Sequence, residues 1–188
     1  MWARVDEGDG LMARGLEWSI GLRLPLFYCG AVCAALFSSP AVWAQDLPYP
    51  DGAMEQCLAD ASSLAAAELC VGIAAEACID AGGQYAPVMS ECFARELEEW
   101  DALLNAEYQR ALDGARAIDA RVEIVQPLTH EQGLRAQQRA WIAYRDASCE
   151  FEAVQWLGGT GATPGFLRCM MQMTGEQAIH LSQIALRP

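Results

Sequence analysis

Six cysteines, Cys57, Cys70, Cys78, Cys92, Cys149 and Cys169, spread over residues 45–188 of a 188-residue chain, constrain this sequence more than any other feature. An even number of cysteines in a short chain reads as a disulfide framework if the chain is exported, and as a metal or redox motif if it stays in a reducing compartment. The residues before them decide between the two. Arg14 and Arg23 precede an apolar run over residues 24–37, followed by small residues ending in Ala41-Val42-Trp43-Ala44. That order of charge, apolar core and small-residue site is a secretory leader. Its apolar core of 14 residues falls short of the roughly 20 that anchor a helix in a bilayer. Cleavage after Ala44 would leave Gln45 first, and Met12 is an alternative start, because Asp6, Glu7 and Asp9 make an acidic prefix foreign to export signals. The residues before Cys33, Gly30-Ala31-Val32, do not form a lipid-attachment site. A product free of any stable membrane anchor, periplasmic or secreted, is expected.

Zinc competes for the cysteines, but no C-x-x-C pair is present and the histidines are only His130 and His180, so neither a metal nor another cofactor is expected. Six cysteines allow 15 pairings. Their division into an N-terminal four and a C-terminal two favours Cys149 with Cys169, and then Cys57 with Cys70 and Cys78 with Cys92. The same region holds 21 acidic residues, nine arginines and no lysine, a net charge of 9 − 21 = −12. Such a field repels nucleic acid and anionic surfaces and favours encounter with basic partners, though it also serves plain solubility.

Residues 45–52, with Pro48, Pro50 and Gly52, read as an extended lead-in. The stretch 54–81 is rich in alanine and leucine. A break at Ser62-Ser63 divides it into two short helices, the second ended by Gly82-Gly83. A long helix is expected from about residue 87 to 121, with Leu97, Trp100, Leu104, Tyr108, Ala111 and Ala115 recurring on its buried side and Glu98, Glu99, Gln109, Arg110 and Arg116 outward. A turn over residues 122–127 leads to a helix capped by Thr129 with Gln132 and running to Leu157. Its seam is Leu134, Trp141, Ala147 or Ser148, and Cys149, flanked by Tyr144 and Phe151. The last helix opens with Thr163 as cap and Pro164 at its first position. No alternating strand pattern occurs, which makes the fold class all-α, a disulfide-stabilised helical bundle in one domain over residues 45–188.

The densest polar and aromatic cluster is residues 138–149. Gln138, Trp141, Arg145 and Cys149 share one helical side, with Arg139, Ile142 and Asp146 beside them. An arginine next to a tryptophan on a core-facing stripe fits a clamp that stacks on the ring and pairs with Asp101 or Glu107 of the preceding long helix. Asp101 and Asn105, four apart, would form a polar pair facing that clamp. A structural role outweighs a catalytic one here. The acids Glu96, Glu98, Glu99 and Asp101 crowd one helix, and no nucleophile with a base at a known spacing, phosphate loop or G-x-S-x-G is present. A non-enzymatic protein is expected. The loop Gly158-Gly159-Thr160 to Gly165, between Cys149 and Cys169, fits a tight connection needing positive φ, or a pre-ordered binding loop.

The strings around Asp101, Leu104, Asn105 and Tyr108 (D-x-x-L-N-x-x-Y) and around Gln138, Arg139, Trp141, Tyr144, Arg145, Asp146 and Cys149 (Q-R-x-W-x-x-Y-R-D-x-x-C), with Gly158-Gly159-Thr160 and Cys169, resemble the LprI-type lysozyme-inhibitor N-terminal domain over about residues 90–186. Residues 53–89 look like an added cysteine-rich piece. The resemblance implies an exported, helical, disulfide-containing fold, and some members of that family inhibit lysozyme. It supplies no catalytic residues, and the matched positions stand as a structural signature. Where the family commonly carries an arginine after its last threonine, this chain reads Thr174-Gly175-Glu176-Gln177. The expected partner is a basic lysozyme or another cationic protein. The alternative is a structural or stress protein of the envelope with a different protein partner, and a hydrolase built on the Glu96 to Asp101 acids ranks last.

Overall fold

A computed structural model describes residues 47–123 and 127–185. The leader assigned to residues 1–44, with its start and cleavage site, lies outside the described residues, as does part of the turn at 122–127. The fold is all-α: α1 (Ala53–Asp60), α2 (Leu64–Glu68), α3 (Ile73–Gly82), α4 (Ala86–Asp119), α5 (His130–Val154) and α6 (Ala162–Ala185), with no strand among the described residues. The stretch expected to hold two short helices holds three. Ser63 caps α2 by accepting from the Ala66 amide, as its hydroxyl predicts, but a second break follows at Gly72, whose φ of 96° no other residue type adopts without strain.

Helices α4 and α6 form the principal pair. The helix α5 packs on both, α3 packs on α4, and α2 on α6. Trp100 is fully buried at the centre, with Leu104, Ala111, Leu112 and Ala115 continuing its face and Met171, Ala178, Ile179 and Leu181 opposing them from α6. The approach is closest at Gly175, where a Cβ would come within 2.9 Å of Val71 Cγ2 and 3.0 Å of Trp100 Cδ2. A bare backbone at that point lets α6 lie against the indole. The lead-in is also packed: Tyr49 is buried under the Arg95 guanidinium, 4.3 Å from the ring centroid, and Arg95 reaches Asp51 at 3.1 Å.

Three disulfides join Cys57 to Cys70, Cys78 to Cys92 and Cys149 to Cys169. They tie α1 to the turn after α2, α3 to α4, and α5 to α6. Short helices of this kind are marginal alone, and α1, α2 and α3 are 8, 5 and 10 residues long.

Two helix starts are completed from a distance. Glu96 of α4, fully buried, accepts from the amides of Gly72 at 2.6 Å and Ala75 at 2.7 Å and from Trp100 Nε1 at 2.8 Å, so its carboxylate caps α3, whose own cap residue has no side chain. At α5, the Thr129 and Gln132 capping box forms as expected, and Asp119 of α4 adds its two oxygens to the amides of His130 at 2.8 Å and Glu131 at 3.0 Å. Those amides, with the His130 ring at 2.8 Å, hold the Asp119 carboxyl down at about 2. A depressed carboxylate stabilises the fold above its unfolded value near 4 and loses that contribution as pH falls toward 2. Acid unfolding followed by circular dichroism should therefore be less steep between pH 4 and 2 in Asp119→Asn than in the native protein. Equal slopes would show that Asp119 adds no proton linkage.

Candidate interaction surface

The Q-R-x-W-x-x-Y-R-D-x-x-C string lies on α5, and its side chains divide between two faces. Gln138 is buried and accepts from Gln177 Nε2 of α6 at 3.0 Å. Arg145 stacks over Trp141 at 4.9 Å from the ring centroid, as the spacing suggested. Its partners differ from expectation: it donates to Asp146 Oδ1 at 2.9 and 2.8 Å and to Thr174 Oγ1 of α6 at 3.4 Å, and pairs with neither Asp101 nor Glu107. The reason is that α5 turns this part of its stripe toward Thr174 of α6. Glu107 pairs instead with Arg110, and Asp101 bonds Asn105 at 3.0 Å on an exposed part of α4, away from the clamp. Leu104 is buried and Tyr108 half-buried in the core; Arg139 is exposed.

The acids Glu96, Glu98, Glu99 and Asp101 also separate. Glu96 is buried as the α3 cap, whereas Glu98 and Asp101 are exposed. Glu99 is half-buried; desolvation raises its carboxyl, and raises the neighbouring Tyr49 phenol further, with the Glu99 charge adding to that shift. No group of three or more potential metal ligands exists among the described residues, and none of their helices is long and apolar enough to cross a membrane.

Helix α5 ends at Val154, three residues before the expected Leu157, and a turn carries the chain through Leu157 and Gly158 at φ of 50° and 79°. Within the loop only Gly158 needs its glycine for positive φ. Gly161 and Gly165 serve another purpose: a Cβ there would fall 2.2 Å from Trp156 Cε3 and 2.7 Å from Trp156 Nε1, so the indole lies directly on the backbone entering α6. The first turn of α6 closes through the Gly165 amide to the Gly161 carbonyl at 2.9 Å, which starts the helix at Ala162 and leaves Pro164, lacking an amide hydrogen, inside that turn. Trp156 was not legible as part of this site; the glycine spacing of four, one helical turn, is the only sign of it. Beneath it opens a cleft of about 650 Å³ lined by Met89, Phe93, Trp156, Pro164 and Arg168.

The loop tip is prominent. Gly158, Gly159 and Thr160 are exposed, Leu157 almost completely so, and Cys149–Cys169 closes the segment at its base. Charge is unevenly distributed. Residues 47–107 contain twelve acids and one arginine, Arg95, which Asp51 already holds.

Together these features define a small disulfide-braced helical protein with a strongly acidic half and an exposed glycine-rich loop framed by a disulfide. The chain belongs to the lysozyme inhibitor LprI family, whose sequence model matches residues 78–181. That span takes in the Cys78–Cys92 and Cys149–Cys169 bridges, both signature strings and the loop. The chain is similar to an uncharacterized 17.7 kDa protein of Rhodobacter capsulatus, at 26% identity over 143 residues, covering 69% of this chain and 82% of that one. It is also similar to an uncharacterized protein of Rhizobium meliloti (strain 1021), at 25% identity over 95 residues, covering 50% of this chain and 68% of that one. No solved structure matches. The family and the disulfides fit an exported protein.

Proposed function

We propose that this protein is a lysozyme-inhibitor-like binding protein that acts in the periplasm or outside the cell on a basic lysozyme or a similarly cationic protein. The family match over residues 78–181 carries this reading. In it, the leader ends near Ala44 and residues 45–188 form one exported helical domain, with 53–89 as a cysteine-rich extension of the family core.

The charge distribution supports a cationic partner, because twelve acids against one arginine over residues 47–107 create a field that steers a basic protein to that half of the molecule. The tip from Leu157 to Thr160 supports contact through the loop. It is exposed, and its φ of 50° at Leu157 and its disulfide base leave little freedom to lose on docking. The Gln138, Trp141 and Arg145 stripe holds α5 on α6 and so places the loop, without touching the partner.

The test is hydrolysis of cell-wall substrate by lysozyme with increasing amounts of residues 45–188, at about 20 mM and about 150 mM salt, either side of the range where screening changes most. Saturable, stoichiometric inhibition that weakens several-fold at the higher salt is expected. Undiminished hydrolysis by lysozymes of several classes at micromolar protein would overturn the proposal and turn the search to other envelope proteins.

A further inference from the structure

The sequence pattern placed Tyr144 and Phe151 beside the buried seam of α5, but both are 66% exposed, and Val154 is 65% exposed. They belong to a different stripe. At 100° per residue, Ala136, Ala140, Ala143, Tyr144, Ala147, Phe151 and Val154 fall within about 100° of one another on the side of α5 away from Leu134, Gln138 and Cys149. All seven are exposed and none carries charge. An uncharged apolar face of this extent on a folded acidic protein marks a contact with another macromolecule.

We propose that this face is a two-fold interface between two copies of the chain, with their α5 helices antiparallel. Size decides the orientation. A two-fold axis between residues 143 and 144 sets Ala136 against the partner's Phe151, Ala140 against the partner's Ala147 and Ala143 against the partner's Tyr144. It also sets Gly133 against the partner's Val154. Every large side chain then meets a glycine or alanine. A parallel pair would stack Phe151 on Phe151 and Tyr144 on Tyr144, and leave voids between facing alanines.

Charge agrees with size. In an antiparallel pair the same edge of each helix faces its counterpart, which brings Arg139 within about two residues, roughly 3 Å along the axis, of the partner's Glu150. Neither residue has an ion-pair partner of its own among the described residues. Residues 130–154 hold four acids and three arginines, so α5 is close to neutral. Two molecules that repel through their acidic halves meet here with little cost. The face is about 30 Å long, which sets the interface at the small end of specific contacts and the dissociation constant in the micromolar range.

Sedimentation velocity of residues 45–188 from about 1 to 200 µM, bracketing that range, is expected to move from one to two chain masses. Ala140→Arg and Phe151→Glu each keep the helical circular dichroism and hold the protein at one mass throughout. The double variant Ala140→Cys/Ala147→Cys, mildly oxidised, becomes a covalent dimer while Ala140→Cys alone and Ala147→Cys alone do not, because the antiparallel pair opposes 140 to 147 whereas a parallel pair would join each position to its own copy. A single mass at every concentration, or a dimer indifferent to both charge insertions, overturns the proposal. So does a native protein that stays monomeric while Phe151→Glu abolishes lysozyme inhibition, since the face then belongs to that partner. The test stands whether or not lysozyme is bound.

Discussion

Glu96→Ala is expected to destabilise the fold by about 3–5 kcal/mol, and Glu96→Gln by about 1–3 kcal/mol. The carboxylate is fully buried and has no salt-bridge partner among the described residues, which alone would be costly, but three donors converge on it: the Gly72 and Ala75 amides and the Trp100 indole. Alanine recovers the cost of burying the charge and leaves all three donors without acceptors inside the core. That second effect is larger, since a buried donor without a partner costs about 1–3 kcal/mol. Glutamine keeps one acceptor oxygen, enough for the two donors that share Oε1, and sets its own amide against one remaining N–H. Urea unfolding of the three proteins gives the order directly. The expected rank is native, then glutamine, then alanine. A loss under about 1 kcal/mol for alanine would mean that water reaches the start of α3 and that the cap is dispensable.

This cap also shows where sequence reading stops. The Thr129 and Gln132 box was legible because all its atoms lie within four residues of one another. Glu96 caps α3 from 24 and 21 residues away, and nothing in its local pattern separates it from Glu98, which is exposed. The long seam of α4 through Trp100, Leu104, Ala111 and Ala115 was readable because a helix repeats its buried face every three or four residues. The same periodicity misled at α5. Two apolar stripes run along that helix, one through Leu134 and Cys149 and one through Tyr144 and Phe151, and spacing cannot tell which meets α6. Arg145 was placed correctly against Trp141, yet its partner on another helix is Thr174 of α6, a choice set by tertiary packing. In the loop, glycines suggested turns, but Gly161 and Gly165 are explained by the indole of Trp156 resting on them, which only coordinates reveal.

Full reduction of the three disulfides is expected to unfold the protein at ordinary temperature. The bridges close loops with sequence separations of 13, 14 and 20 residues, and none of these loops overlaps another. Each limits the unfolded chain by about 3 kcal/mol in the chain-entropy account, so together they contribute about 9 kcal/mol. A domain of this size has a net stability of about 5–15 kcal/mol in all. The loss also falls where the fold has least else to hold it. Two of the bridges secure α1, α2 and α3, which are too short to persist alone and bury little besides Met54, Ala74, Ala75, Cys78 and Ile79. The third joins α5 to α6, long helices that share a seam of their own. Single pairs replaced by alanine should therefore differ. Removing Cys57 and Cys70 or Cys78 and Cys92 releases the N-terminal helices while Trp100 stays buried against Gly175. Removing Cys149 and Cys169 leaves the helices in place and frees the loop from Leu157 to Thr160. Thermal melts with and without reductant, paired with hydrogen exchange on each variant, resolve these outcomes. An unchanged melting temperature in reductant would show that packing alone holds the bundle and that the cysteines matter for something other than stability.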